Sequence, residues 1–462
     1  MKVGFTYMLT GMEKGQEATA AGAVKKLIIK LSWPVVAEQS MATLTNIIDL
    51  MMVGRLGAAA IAAVGLSIQP LLLAQALGAA VSIGTTALVA RFTGAREAKK
   101  GGETLQQSLL ASFLFSVIIL SVYYLFAGEL MTFLGAEPAV VLLGSSYLRL
   151  LIPGLLFMFI SFIISAALRG AGDTRTPMKV NLAVNLLNVF ANYTLIFGNF
   201  GAPALGLDGA AIATSLARFV GALTLLFYVF SPKSMVRLRW KGFFRADLTM
   251  IKRILKIGIP ATLEQLVMRI AQILFIRVVA GLGTVAYAAH QLALNAESIS
   301  YMPGFGIAVA ATTLVGQNLG ANRPEQAEQS TYQSWKLGMM IMGLMALVFL
   351  LFPRFLLSLY TDQQEIIKLG AVNLRIIAFA QLQMATQFIF AGALRGAGDT
   401  RSVFYSTALS SWLGRLGMAY LFVYFLEWGL AGAWLAMVID WTIRGSFVFF
   451  RFKQGGWKKL KI

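Results

Sequence analysis

Two carboxylates, Glu38 and Asp49, stand in the stretch LIIKLSWPVVAEQSMATLTNIIDLMMVGRLG, where most neighbours are apolar. An ionisable group in hydrocarbon costs several kcal/mol unless it is paired or hydrated, which makes each a functional-site candidate. On a helix turning about 100° per residue, their spacing returns to nearly the same face, with the two groups roughly 16 Å apart along the axis. They form two stations on one face, not the paired acids of a hydrolytic dyad. Asp49, apolar on both sides, reads as a functional residue and not as one that simply sits in the outer headgroups. Pro34 lies inside the same helix, where a missing backbone hydrogen bond predicts a bend. Asn181, Asn185, Asn188 and Asn192 recur at spacings of four, three and four, so one helix face is a stripe of amides. Amides facing lipid go unsatisfied, so this stripe faces either other helices or a wet cavity. Gln69, Gln75, Thr214, Gln381, Gln383 and Gln387 add further polar groups with the same two alternatives.

Other chemistries are poorly represented. With no cysteine in the chain, disulfides, thiolate metal sites and cysteine nucleophiles are excluded. His290 is the only histidine; the segment AAHQ reads as an interfacial residue with a hydrogen-bond partner, and nothing pairs with it to hold a metal. HExxH and GxSxG are both missing, which weakens an intramembrane-enzyme reading. No cofactor is expected. Arg269, Arg277 and Arg415 fall within apolar helices and either face a cavity or snorkel to an interface.

The elements that position these groups are membrane spans. Hydrophobic residues make up 58% of the 462 and charged residues 13%, against about 25% charged in soluble domains. Apolar runs of spanning length predict about twelve helices. They lie near 27–53, 60–90, 105–127, 143–167, 178–198, 208–231, 255–280, 285–315, 334–353, 367–393, 403–425 and 429–450. The net charge of +19 does not call for nucleic acid: with the amino terminus inside, 29 of the 39 Lys and Arg fall on cytoplasmic segments and five on outer ones. That asymmetry is the positive-inside rule, and it places both termini in the cytoplasm of a multi-pass inner (plasma) membrane protein. Residues 1–26, with no secretory signal pattern, read as a cytoplasmic tail.

The nonapeptide ALRGAGDTR occurs at 167–175 and again at 393–401, an offset of 226. The same offset carries Pro34, Glu38 and Gln39 onto Pro260, Glu264 and Gln265, and Gly94 onto Gly320. One constant offset without gaps means two homologous halves. The expected architecture is all-α: a six-helix bundle at 27–232 and another at 255–450, joined by a basic amphipathic linker at 233–254. A basic tail follows at 451–462. With six helices each, the halves share one orientation and are expected to be related by a pseudo-twofold axis along the membrane normal, with a substrate cleft between them. Polar groups concentrate in the first half: Asp49 corresponds to Phe275, whereas Glu264 preserves the position of Glu38. The repeated loop lacks a dinucleotide or Walker fingerprint and reads as a joint, with Asp173 or Thr174 capping the next helix.

The duplicated halves, DLMMVGRLG closing helix one, LRGAGDTR after helices four and ten, AAHQ, and NYTLIFGNFGAPALGLDGAAIAT (192–214) together resemble the MATE multidrug and toxin extruders, over essentially the whole chain. The helix five–six stretch is most similar to bacterial NorM-type members. The resemblance implies export of cationic, amphipathic compounds in exchange for protons or sodium ions. It places the cation-coupling aspartate on Asp49 and the bending proline on Pro34. Two departures accompany it: the acids that NorM-type proteins often carry on helices seven and ten are here Met268 and Met384, and some relatives have an aspartate where this chain has Asn192. Asp49, with Asn188, Asn192 and Thr214, is therefore the expected coupling site and the expected place for a sodium ion. Glu38, Gln69, Asn185, Glu264 and Gln383 are expected along the substrate cavity, in a monomer. A lipid-linked oligosaccharide flippase of the same broad superfamily is the rival; it calls for a cationic cavity to hold pyrophosphate.

Overall fold

The computed structural model describes residues 17–239, 245–460 and 462, with side chains from residue 22 onward. No strand occurs among the described residues. The helices of the first half are α1 (Glu17–Gly54), α2 (Ala58–Gly94), α3 (Ala98–Leu125), the short α4 (Ala127–Phe133), α5 (Pro138–Ala171), α6 (Arg175–Phe197) and α7 (Gly206–Phe230). Those of the second half are α8 (Leu248–Ala280), α9 (Thr284–Gly320), α10 (Pro324–Leu351), the short α11 (Pro353–Ser358), α12 (Gln364–Ala378) and α13 (Gln381–Ala397). They are followed by α14 (Thr400–Leu409) and α15 (Gly429–Lys453). Between α14 and α15 the chain runs through two π-helical stretches, Ser410–Gly417 and Leu421–Phe425, flanking Met418–Tyr420.

Among the described residues, eight helices are long and apolar enough to cross a membrane. A ninth span is the pair α12 and α13, bent by 52° at a short break. The other three expected spans are helical but differ in kind. Helices α1 and α8 carry several lysines, arginines and acids along their length, and the span at 403–425 is divided by the π-helical turns. Helix α1 also begins at Glu17, so part of the expected tail is helix, while residues 1–16 lie outside the described residues. The basic tail is partly folded too: Trp457 is fully buried and stacks on Phe452 at 4.5 Å.

The duplication is visible in the helix ends. Shifting α2 and α3 by 226 residues reproduces the bounds of α9 and α10, and shifting α5 reproduces the outer bounds of α12 plus α13. The chain forms two compact units, an N-lobe of Ala37–Thr262 together with Ile462, and a C-lobe of Leu263–Lys461 together with the residues through Val36. The units therefore divide inside α1 and α8, not in the linker at 233–254. Each division falls two residues beyond a helix-internal proline, Pro34 or Pro260. Proline removes one rung of the backbone ladder, which marks the softest point at which a continuous helix can pass from one packing unit to the next.

Candidate cation site in the N-lobe and its C-lobe counterpart

Helices α1, α6 and α7 bring Asp49, Asn188, Asn192 and Thr214 together within the N-lobe. Asn192 Nδ2 donates to Asp49 Oδ1 at 2.7 Å, and Asn192 itself is buried. The Asn188 amide sits 3.1 and 3.2 Å from the two Asp49 oxygens and 3.2 Å from the Thr214 hydroxyl. The orientation that satisfies every group has Asn188 Nδ2 donating to Asp49 and its Oδ1 accepting from Thr214. The spacing of four between Asn188 and Asn192 makes this convergence possible, because both amides project from one face of α6. In this arrangement the carboxylate is held by amide N–H groups while Asn192 Oδ1 is buried and unpartnered, and turning the amides over would present oxygens, the ligands a hard monovalent cation takes, beside Asp49.

Two residues not expected from the sequence complete the surroundings. Arg218, one turn beyond Thr214 on α7, lies within electrostatic reach of Asp49 and of the buried Tyr147. Its Nη1 is buried with no hydrogen-bond partner among the described residues. On the adjoining faces of α1 and α6 is a cavity of about 440 Å³ lined by Met41, Leu44, Thr45, Ile48, Asn185 and Phe190, among others. Asn185 thus lines this cavity, separate from the Asp49 cluster. Methionine and aromatic walls with two polar groups suit a flat apolar molecule carrying one polar or charged end.

Glu38 and Glu264 belong elsewhere. Arg169 from the repeated loop approaches Glu38 at 3.4 Å, and Asn181 Nδ2 donates to Glu38 at 2.6 Å. In the C-lobe Arg395 meets Glu264 at 2.7 Å and the Thr407 hydroxyl donates to it at 3.1 Å. Every member of the second set is the first shifted by 226, so the carboxylates anchor a repeated clamp and do not line the cavity described above. Asp173 caps its helix by accepting from Thr176 N at 3.0 Å, as Asp399 does from Ser402 N at 3.3 Å. Gly170 and Gly396 pack where an added Cβ would come within 2.6 Å of the Thr86 oxygen and 2.3 Å of the Thr312 oxygen. Gln69 is exposed, and Gln383 is half-buried with its Oε1 unpartnered.

The C-lobe counterpart has a different composition. Met384 is fully buried, and Met268 Sδ lies 3.7 Å from Arg444 Nη1. The acid here is Asp440, fully buried on α15 at the position equivalent to Thr214. Arg444, equivalent to Arg218, donates to it through Nε at 2.7 Å and Nη2 at 2.9 Å. Arg415, in the first π-helical stretch, meets the same carboxylate at 2.8 Å. Ser410 and Ser411 accept from Arg444, each at 2.8 Å. The sequence signal was present, because the 226 offset carries Thr214 and Arg218 onto Asp440 and Arg444. His290 is not interfacial: it is 1% exposed between Phe275 and Trp434, and neither ring nitrogen has a hydrogen-bond partner.

Comparison with known proteins bears on the family and the fold. The MatE family model matches residues 34–194 and 260–421, two segments that begin 226 residues apart. The chain is 34% identical to the probable multidrug resistance protein NorM of Thermotoga maritima over 94% of each chain. It is 29% identical to the multidrug resistance protein MdtK of Yersinia pestis, over 92% of this chain and 94% of the relative. A solved structure described as the outward-facing conformation of a multidrug resistance MATE family transporter superposes with a TM-score of 0.86 at 26% identity, covering 95% of this chain and 97% of the other. With a fold, a repeat and a sequence match that agree over most of its length, the chain belongs to the MatE family.

Proposed function

We propose that this protein is a secondary multidrug exporter that moves cationic or amphipathic organic compounds out of the cell in exchange for protons or sodium ions. Its multidrug-resistance relatives support the exporter reading. Assignment of coupling to Asp49 rests on one observation: its carboxylate meets Asn192 and Asn188, the latter bonded to Thr214, on a helix whose neighbouring residues Thr45, Ile48 and Met52 line an apolar cavity. Asp49 without a bound cation draws the positive end of a drug, whose flat apolar part fills the cavity between α1 and α6. A proton or sodium ion arriving at Asp49 removes that attraction, and the bend of α1 near Pro34 lets the drug leave outward. The protein works as a monomer in the plasma membrane, with both termini in the cytoplasm.

The decisive assay is dye export from proteoliposomes under imposed proton or sodium gradients, with Asp49→Asn beside the wild type. Asp49→Asn is expected to abolish gradient-driven export, and undiminished export would end the assignment. A lipid-linked oligosaccharide flippase would need guanidinium groups free to hold pyrophosphate. In the C-lobe Arg415 and Arg444 are both bound to Asp440, which argues against it.

A further inference from the structure

Superposing the repeat on its own offset turns two different polar clusters into versions of one site. Thr214, Arg218 and Asp49 become Asp440, Arg444 and Phe275. In the N-lobe the acid comes from α1 and its oxygens meet uncharged groups, Asn192 and Asn188. In the C-lobe the acid has moved to the arginine's own helix, one turn before it, and is closed by hydrogen bonds from Arg444. Where the N-lobe has its carboxylate, the C-lobe has the Phe275 ring, and the Arg415 guanidinium sits 5.8 Å from its centroid and 5.9 Å from that of Trp441. The same guanidinium is the one that meets Asp440 at 2.8 Å.

A second carboxyl group completes the cluster. Glu297 on α9 is fully buried, and the only side-chain group within hydrogen-bonding reach of it is the Tyr301 hydroxyl, whose geometry is poor. It lies beside Tyr301 and within electrostatic reach of Arg415. Counted with both carboxyls ionised, Glu297 and Asp440 balance Arg415 and Arg444 at membrane depth, with His290 and Tyr301 the other titratable groups facing Arg415 and Glu264, itself paired with Arg395, facing Arg444. A buried charge left uncompensated in hydrocarbon is far more expensive than a balanced set.

We propose that Arg415 is a tethered cation seated in a monovalent-cation site of the C-lobe, so that this lobe carries no coupling ion until the arginine's charge is removed. The proposal goes beyond the exporter reading and rests on it only for what an unpaired carboxylate does in the N-lobe. Removing the charge at position 415 leaves one net negative charge shared by Glu297 and Asp440, and a sodium ion or proton from water must replace it.

The test counts cations on purified full-length protein, by binding of radioactive sodium and by proton uptake with an indicator dye. Arg415→Met is expected to hold one more monovalent cation than the wild type by one of the two readouts, while Arg415→Lys keeps the wild-type number. Arg415→Met/Glu297→Gln, in which the charges balance again, is expected to return to the wild-type number. An Arg415→Met protein with no extra cation by either readout overturns the proposal, as does a double variant that retains the extra one. If Arg415→Met alone does not fold, the double variant is expected to fold; failure of both means that the guanidinium is needed for structure, and the proposal fails. Asp49→Asn made in each background removes only the N-lobe cation, so an error about Asp49 appears in that variant and leaves the Arg415 comparison standing.

Discussion

Asn192 and Asn188 supply uncharged donors to a carboxylate at membrane depth, and hydrogen bonds to charged groups contribute roughly 1.5–3 kcal/mol each. Asn192→Leu removes a donor to the charged carboxylate and is therefore expected to tighten proton binding at Asp49 by about tenfold or more, as proton titration of drug release would report. A charged residue at this position would change the count of charges in the site, which an amide does not. The clamps make a second residue-level prediction. Arg169→Met leaves Glu38 with a single partner, and breaking one side of a buried pair costs about 3–5 kcal/mol. With 20% of the Arg169 side chain exposed, the lower end is expected. Arg169→Met/Glu38→Gln should recover much of the loss in thermal melts, and Arg395 with Glu264 should behave alike. Equal melting of the single and double variants would show that the pair contributes nothing. At this scale the sequence exposed the acids and the amide stripe but not their partners. Arg415 reads as a cavity or snorkelling charge, and Arg218 and Arg444 do not stand out, because a linear pattern does not say which helix lies opposite.

Helices α1 and α8 each change packing unit just past a proline, and that coincidence carries the element-level prediction. Proline inside a helix costs about 3 kcal/mol, so Pro34→Ala is expected to melt no lower than the wild type while slowing export. Wild-type export rates in a normally expressed Pro34→Ala protein would remove the bend from the mechanism. The repeated loop makes the opposite kind of prediction. Gly170 and Gly396 sit where any side chain meets the backbone of the neighbouring helix, so Gly170→Val should cost about 1–3 kcal/mol, read as a lowered melting temperature. The loop was legible as a joint because its glycines and aspartate carry turn and cap chemistry. Its arginines' partnership with Glu38 and Glu264 was not, since more than a hundred residues separate each pair.

For the whole molecule, the positive-inside asymmetry gives an expected outcome that needs no site: a green fluorescent protein fused after Ile462 should fluoresce, and an alkaline phosphatase there should be inactive. The opposite pattern would invert the topology. Hydropathy, the 226-residue repeat and the concentration of polar residues in the first half were all written locally, in the order of the chain. They determined that this is an all-helical membrane protein of two related halves and singled out Asp49 as the acid proposed to carry coupling. Only the tertiary structure decided that α1 and α8 are shared between units, that Glu38 and Glu264 are clamp residues, and that the C-lobe rebuilds the site around Asp440 with two arginines. The reason is physical. Span and periodicity depend on each residue's own partition between water and lipid, whereas pairing of buried charges depends on which side chains distant helices bring within about 3 Å of one another.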